Sequence, residues 1–325
     1  MPGKEVQSYP GNENYKPGTW EYLLSENPEK RKGEIFFWKW NVCWLVFFAG
    51  IVITSAYEHF GAWSYLNTGL IICIPPVFGP LLFPQLSGEQ NTKWYDRYTT
   101  KANIWIVVYA FIGNYYWTHY FYKVLGCDYT LETFRINDVP ICMFLITIGY
   151  FHFYHGLSSI LLRKLWRSEM MKNKSTVTQY IIVSLFIGIG SYFTAILEAG
   201  TIASFPYYTY PDTKAMFLIG SVFYAIYFLG SFPSFLRLDE YIGKAQFAAL
   251  AKKKDGSTTD VNAQVITDVH CTALSNSDGY RFTLSATLVD VLAYSMYTTT
   301  LLDVWRLNIG QVNGEMLDRF VSWIY

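Results

Sequence analysis

The chain has 325 residues, 52% of them hydrophobic, 19% aromatic and only 15% charged, a balance too apolar for an ordinary soluble domain of this length. It indicates a membrane protein, with the lipid bilayer as its surroundings. Lysine plus arginine and aspartate plus glutamate each number 25, so the formal net charge is +0 and no basic excess invites nucleic acid, which is set aside as a partner.

The first 34 residues are polar and hold Pro2, Pro10, Pro17 and Pro28. They offer no apolar stretch for a cleaved signal peptide, so residues 1–34 read as a cytoplasmic segment and the first hydrophobic helix as the targeting element. Seven apolar segments follow, near 35–57, 60–84, 101–124, 139–164, 177–204, 214–237 and 283–306. Each is long enough to cross a hydrocarbon core of about 30 Å at about 1.5 Å per residue. The first two are expected to form a tight hairpin through "YEHFG". The second carries Pro75, Pro76, Pro80 and Pro84 and is expected to be kinked or partly re-entrant. Residues 241–282, around "AKKKDGSTTD", read as a flexible cytoplasmic loop, and 309–325 as a short C-terminal tail.

Residues 35–308 therefore make one helical membrane domain. The fold class is all-α, a multi-pass bundle of about seven transmembrane helices. Basic residues crowd the N-terminal side of the spans, as in Lys30, Arg31 and Lys32 or Arg163, Lys164 and Arg167, whereas the other side holds only Lys123, Arg135, Lys214, Arg306 and Arg319. The positive-inside rule then puts the N-terminus in the cytoplasm and the C-terminus on the far side.

The cysteines Cys43, Cys73, Cys127, Cys142 and Cys271 form no CxxC and no paired spacing with histidine, so neither zinc nor a redox motif is expected. Cys127 and Cys142 are positioned to face one another at a helix end. A Gly-rich dinucleotide loop, a P-loop, GxSxG and HExxH are all missing from the sequence. Any chemistry must use acids, bases and aromatic faces, with no metal and no cofactor expected.

An ionisable group at membrane depth costs about 3 kcal/mol on insertion scales, so each needs a partner, a cavity or a task. Glu198 is the deepest such group in the fifth segment, and Ser191, Thr194, Glu198 and Thr201 follow a helical stripe facing the bundle. In the third segment, "GNYYWTHYF" (113–121) brings polar and aromatic groups into the same half of the membrane. α-helical spacing puts Asn114, Trp117 and Phe121 on one face and Tyr115, His119 and Tyr122 on the next. An interfacial aromatic belt accounts for the outer end of this run and leaves the deeper Asn114 unexplained. A second cluster nearer the cytoplasm combines His152, His155 and Ser159 with Asp290, Tyr294 and Tyr297, where an Asp290–histidine bond would tie two helices. Asp303 and Arg306, three apart, read as a local salt bridge. "PSFLRLDE" reads as a helix end whose charges sit at the interface.

The strings "NPEKRKGEIFF" (27–37), "DRYTTKANIWIVVYAFIGNYYWTHYFYKVLG" (96–126), "SYFTAILEAGTIASFPYY" (191–208), "FYAIYFLGSFPSFLRLDE" (223–240) and "LLDVWRL" (301–307) resemble, in this order, the cycloeucalenol cycloisomerase family of sterol biosynthesis. The resemblance spans roughly residues 27–240 and 283–308 and omits 1–26, and the loop 241–282 looks longer than the link plant members have there. It implies an isomerase, an intramolecular lyase of the endoplasmic reticulum membrane, that opens the 9,19-cyclopropane ring of cycloeucalenol to give obtusifoliol. A proton adds to carbon 19, positive charge develops at carbon 9 and carbon 8 loses a proton, so no cofactor is needed.

Such chemistry needs a carboxylic acid kept neutral, or an imidazolium, in a dry site, and Glu198 fits best. It also needs electron-rich faces for the cation, for which Tyr115, Trp117, Tyr192, Tyr224 and Tyr227 are candidates. His119 is the expected partner or base. Asn114, Thr194 and the His155–Asp290 cluster complete the expected contacts to a cyclopropyl sterol. No catalytic residues are carried over from the family, so these roles rest on the logic of burial alone. Two other classes fit seven spans: a sterol-binding or transport protein without catalysis, and a heptahelical receptor, which the charge bias disfavours.

Overall fold

The computed structural model describes residues 20–25, 27–172, 174–240 and 282–312. Residues 1–19, the loop predicted at 241–282 apart from Phe282, and the tail from 313 onward lie outside the described residues, as does Cys271.

The long helices are α1 (Pro28–Ile53), α2 (Ala62–Leu82), α3 (Tyr98–Ile112), α4 (Ile141–Trp166), α6 (Thr176–Ala203), α8 (Ser221–Arg237) and α9 (Leu284–Val312). The short helices α5 (Glu169–Lys172) and α7 (Thr213–Ala215) precede α6 and α8. Their starts are written in the sequence. Asn27 caps α1 by accepting from Glu29 N with Pro28 at the first helical position, Ser175 caps α6 by accepting from Thr178 N, and Asp212 caps α7 through Lys214 N and Ala215 N.

Among the described residues, five helices are long and apolar enough to cross a membrane: α1, α2, α4, α6 and the rod Thr213–Arg237 that joins α7 to α8. Large apolar side chains lie on the outside of this bundle, among them Val46, Ile53, Ile189 and Met296, as lipid contact requires and water would not reward. The other two expected spans are also helical. α3 has only 15 residues before its hydrogen bonding changes, and α9, with 29, carries Asp290, Asp303 and Arg306.

Two small ladders on the far side depart from an all-helical reading. β1 (Asp128–Tyr129) pairs antiparallel with β4 (Tyr208–Thr209), and β2 (Arg135–Ile136) with β3 (Val139–Pro140). Asn137 and Asp138 both have positive φ, 52° and 62°, which is the two-residue turn a tight hairpin needs.

α2 is neither re-entrant nor broken, although Pro75, Pro76 and Pro80 sit inside it. A proline at position i removes the N–H that would bond the carbonyl of i−4, and that carbonyl needs another donor at membrane depth. Trp40 Nε1 donates to the Ile72 carbonyl (3.1 Å) freed by Pro76, and Asn103 Nδ2 donates to the Pro76 carbonyl (2.9 Å) freed by Pro80. The Pro80 carbonyl, opposite Pro84, receives Arg97 Nη1 at 3.3 Å. Side chains of α1, α3 and the α2–α3 turn thus replace three of the missing donors. α2 also lies close on α4: a Cβ at Gly69 would meet Leu145 Cβ at 2.8 Å.

The N-terminal side of the bundle is closed by a buried ion network. Arg163 bonds both Glu34 and Glu240, with Nη1 to Glu34 Oε2 at 3.1 Å and Nη2 to Glu240 Oε2 at 2.6 Å. Lys30 Nζ donates to the carbonyls of Leu236 and Leu238 at 2.6 Å each and pairs with Glu240 at 3.0 Å. Lys101 pairs with Asp239, whose Oδ1 accepts from Phe282 N at 2.7 Å. The three cations balance the three carboxylates, and Ser25 and Asn27 take up remaining polar atoms through Glu34, Glu240 and the Asp239 carbonyl. "PSFLRLDE" therefore ends inside a buried network and not in charges exposed at the interface.

Cys127 and Cys142 do not face each other. Cys127 Sγ meets Met216 Sδ at 3.8 Å, Cys142 lies against Thr133, and both are free thiols.

Candidate active site

The far-side half of the bundle contains a cavity of about 100 Å³ walled by α3, α4, α6, α8 and the β1–β4 ladder. Its lining is aromatic and apolar, with Phe121, Tyr122, Tyr129, Phe151, Tyr208, Tyr224 and Tyr227 among Met143, Met216, Ala195, Ala199 and Ile202. Among the described residues Glu198 is the one carboxylate that lines it, and no histidine, lysine or arginine does.

The third segment reaches this cavity by leaving α-helical geometry. "GNYYW" (Gly113–Trp117) and "YFYKV" (Tyr120–Val124) are π-helical turns, and Thr118 N bonds back to the Gly113 carbonyl, five residues earlier. Wider turns hold residues four apart on one face, so Asn114, Thr118 and Tyr122 line the cavity together. Trp117 turns the other way. It is fully buried, donates from Nε1 to Thr299 Oγ1 at 2.9 Å and packs against Tyr109 and Tyr227 with ring centres 5.0 and 4.8 Å apart. Tyr120 likewise donates to Asp303 Oδ1 at 2.7 Å.

Glu198 comes from α6, whose small residues Ser191, Ala195 and Ala199 face inward and let it lie close on its neighbours. Thr201, on the predicted polar stripe, points outward. Tyr224 Oη donates to Glu198 Oε1 at 2.6 Å, and Oε2 is buried with no hydrogen-bond partner. Phenols ring the carboxyl: Tyr154 from α4 lies within reach of it as a second donor, and Tyr150 from α4, Tyr129 from β1 and Tyr227 from α8 stand close by. Tyr122 Oη, on the same cavity wall, is also buried and unpartnered. Buried polar atoms are nearly always bonded, so two orphans on one cavity are unusual and fit a site that receives a polar guest. Asn114 Nδ2 donates to the Ala110 carbonyl at 2.9 Å, which turns its amide oxygen into the group available as an acceptor.

The structure brings Asn114, Glu198, Tyr224 and Tyr227 together on this cavity. It does not bring the other expected residues there. His119 lies under the far-side hairpin beside Asn137 and Asp138, edge-on to Tyr122 with centres 5.6 Å apart. Tyr115 stacks on Phe111 and its carbonyl accepts from Asn137 Nδ2 at 2.7 Å. Tyr192 is 36% exposed on the outer face of α6, and Thr194 bonds back to the Gly190 carbonyl at 2.8 Å.

His155 and Asp290 sit in the half of the bundle nearer the buried ion network, each fully engaged. His155 Nδ1 donates to the Phe151 carbonyl at 2.8 Å and Nε2 accepts from Ser231 Oγ at 3.0 Å, inside a cage of Trp105, Phe232 and Phe235. Asp290 accepts from Trp105 Nε1 at 3.0 Å and Ser234 Oγ at 2.5 Å and pairs with Arg237, so no Asp290–histidine bond forms. Asp303 and Arg306 do form the local pair, at 3.2 Å. Among the described residues no three His, Cys, Asp or Glu side chains converge as a metal site would need.

The cavity residues that sequence reasoning missed are Thr118, Tyr122, Tyr129, Met143, Thr147, Tyr208 and Met216. Tyr129 and Tyr208 meet, with ring centres 4.8 Å apart, only because β1 pairs with β4 across 79 residues. The Asn-Asp dipeptide of the neighbouring hairpin was the available turn signal.

The fold is that of a helical membrane protein, and among the described residues its cavity sets one carboxyl against a wall of aromatic rings. No protein-family model and no solved structure matches the chain. Cycloeucalenol cycloisomerase of Arabidopsis thaliana is 37% identical to it over 297 residues, covering 91% of each chain. The chain belongs to the cycloeucalenol cycloisomerase family.

Proposed function

We propose that this protein is an isomerase of sterol biosynthesis that opens the 9,19-cyclopropane ring of cycloeucalenol to give obtusifoliol, with Glu198 as the acid. The family supplies the reaction. The observation that carries the site is the lone cavity carboxyl, held at Oε1 by Tyr224 and unbonded at Oε2. The proton on Oε2 passes to carbon 19, the bond between carbons 9 and 19 breaks, and carbon 19 becomes a methyl group. Carbon 9 then carries positive charge until carbon 8 gives up its proton and the electron pair forms the double bond. The walls are suited to that cation: a desolvated aromatic face contributes about 2 kcal/mol, and Tyr224, Tyr227 and Tyr129 present such faces without admitting a nucleophile. Asn114 is the proposed acceptor for the sterol hydroxyl.

A cavity of about 150 Å³ holds a benzene. At about 100 Å³ this one is too small for a four-ring sterol, so binding requires its walls to give way, and α6, as little buried as α1, is the wall proposed to move. We further propose that α3 with its π turns and α9 also cross the bilayer, making seven spans with the N-terminus cytoplasmic, in the endoplasmic reticulum membrane.

The test is to express the chain in membranes lacking the activity, supply cycloeucalenol and analyse the sterols by mass spectrometry. Obtusifoliol is expected. Unchanged cycloeucalenol from folded protein would mark a sterol-binding protein instead.

A further inference from the structure

The reaction takes one proton in and puts one out, and the group that receives it is unassigned. We infer that Glu198 serves both ends: the carboxylate left after protonating carbon 19 is the base that removes the proton from carbon 8, and it keeps that proton for the next turnover. This rests on the reaction proposed above.

Elimination carries the inference. The cavity lining holds one carboxyl, phenols, one carboxamide, threonine hydroxyls and two thioethers. Once Glu198 has given up its proton, its carboxylate is by far the strongest base among these, because a neutral phenol, amide or thioether binds a proton only in strong acid. His119, the other base in this half of the membrane, does not line the cavity: it faces the Asn137 backbone under the hairpin, and its Nε2 is buried without a partner outside the lining. His155 is committed at both ring nitrogens, and its partners Phe151 and Ser231 leave it no free lone pair.

The substrate geometry agrees. Carbons 19 and 8 are both bonded to carbon 9 at the start, so the two hydrogens exchanged lie within the span of a single carboxyl group. The electrostatics agree too, since a new carboxylate beside a new carbocation attracts it and waits at the point where the proton is released. The balance closes without solvent. One O–H bond and the bond between carbons 9 and 19 break, one C–H bond forms at carbon 19, one C–H bond breaks at carbon 8, and the double bond and the O–H bond are restored. Tyr224 holds Oε1 throughout, which fixes Oε2 as the oxygen that gives and takes.

The experiment uses the full chain in its membrane, in ordinary water, with cycloeucalenol deuterated at carbon 8. Deuterium taken from one molecule is expected in the carbon 19 methyl group of obtusifoliol formed in later turnovers. His119→Gln is expected to retain both the rate, within about threefold, and the label transfer, as a group away from the path should. Obtusifoliol formed with no deuterium in that methyl group overturns the one-carboxyl cycle. Absence of obtusifoliol altogether, from folded protein, overturns instead the reaction on which it rests.

Discussion

The molecule buries carboxylates at both ends of its bundle, and the two ends treat them in opposite ways. On the N-terminal side, Glu34, Asp239 and Glu240 meet Lys30, Lys101 and Arg163, and the network is neutral and densely bonded. On the far side, Glu198 has no cation, one hydrogen bond from Tyr224 and a bare oxygen. A balanced buried network contributes mainly when it is intact: removing one partner leaves an unpaired charge and costs about 3–5 kcal/mol. A lone carboxyl beside a cavity contributes little to folding, and chemistry is the role proposed for it. On that proposal the first end holds the helices and the second uses them.

That contrast predicts different failures. Glu198→Gln keeps the shape and the Tyr224 hydrogen bond but removes the proton, so turnover should fall by about 10²–10⁴ while the folded fraction, read by size-exclusion profile in detergent, stays unchanged. Arg163→Met should do the reverse. It strands Glu34 and Glu240, lowers stability by about 3–5 kcal/mol and reduces yield of folded protein, with the surviving molecules near normal in turnover.

Tyr224→Phe leaves Glu198 Oε1 without its donor. Turnover should drop by roughly 10–100-fold, the worth of a hydrogen bond to a charged acceptor, because Oε2 loses its fixed aim. A loss smaller than threefold would detach Tyr224 from the site.

The network should also respond to acid. Burial pushes the Glu240 carboxyl up, but Arg163 and Lys30 outweigh it and hold the carboxyl below the ordinary glutamate range. A carboxyl depressed in the folded state adds stability that is fully present above its unfolded value of about 4.3 and is lost as pH falls toward the folded value. The thermal midpoint in detergent should therefore drop as pH is lowered below about 4.3, and Glu240→Gln should blunt that dependence. His119→Gln is the smallest expected effect, within about threefold in turnover.

Much of this was legible in the sequence. Apolar runs located every long helix, and the cost of a charge in lipid singled out Glu198 before any geometry was known. What was not legible has a physical cause in each case. Placing Trp117 beside Asn114 assumed α-helical turns, and the π turns at Gly113–Trp117 and Tyr120–Val124 rotate Trp117 onto α9 and bring in Thr118 and Tyr122. Tyr129 and Tyr208 depend on a two-residue ladder between distant segments, which no local pattern encodes. The prolines of α2 suggested a break because the donors that repair it, on Trp40 and Asn103, come from other helices. Lys30, Arg163 and Glu240 looked like interface charges because each needs the others to be buried.

The most direct measurement sets the two clusters against each other. Glu198→Gln and Asp290→Asn are expressed side by side in membranes lacking the activity, and obtusifoliol formed per folded molecule is measured by mass spectrometry. The Glu198→Gln protein should form almost none, while the Asp290→Asn protein, which keeps acceptors for Trp105 and Ser234, should stay within several-fold of normal. Normal turnover in the first and none in the second would contradict the account and move the acid to the Asp290 cluster.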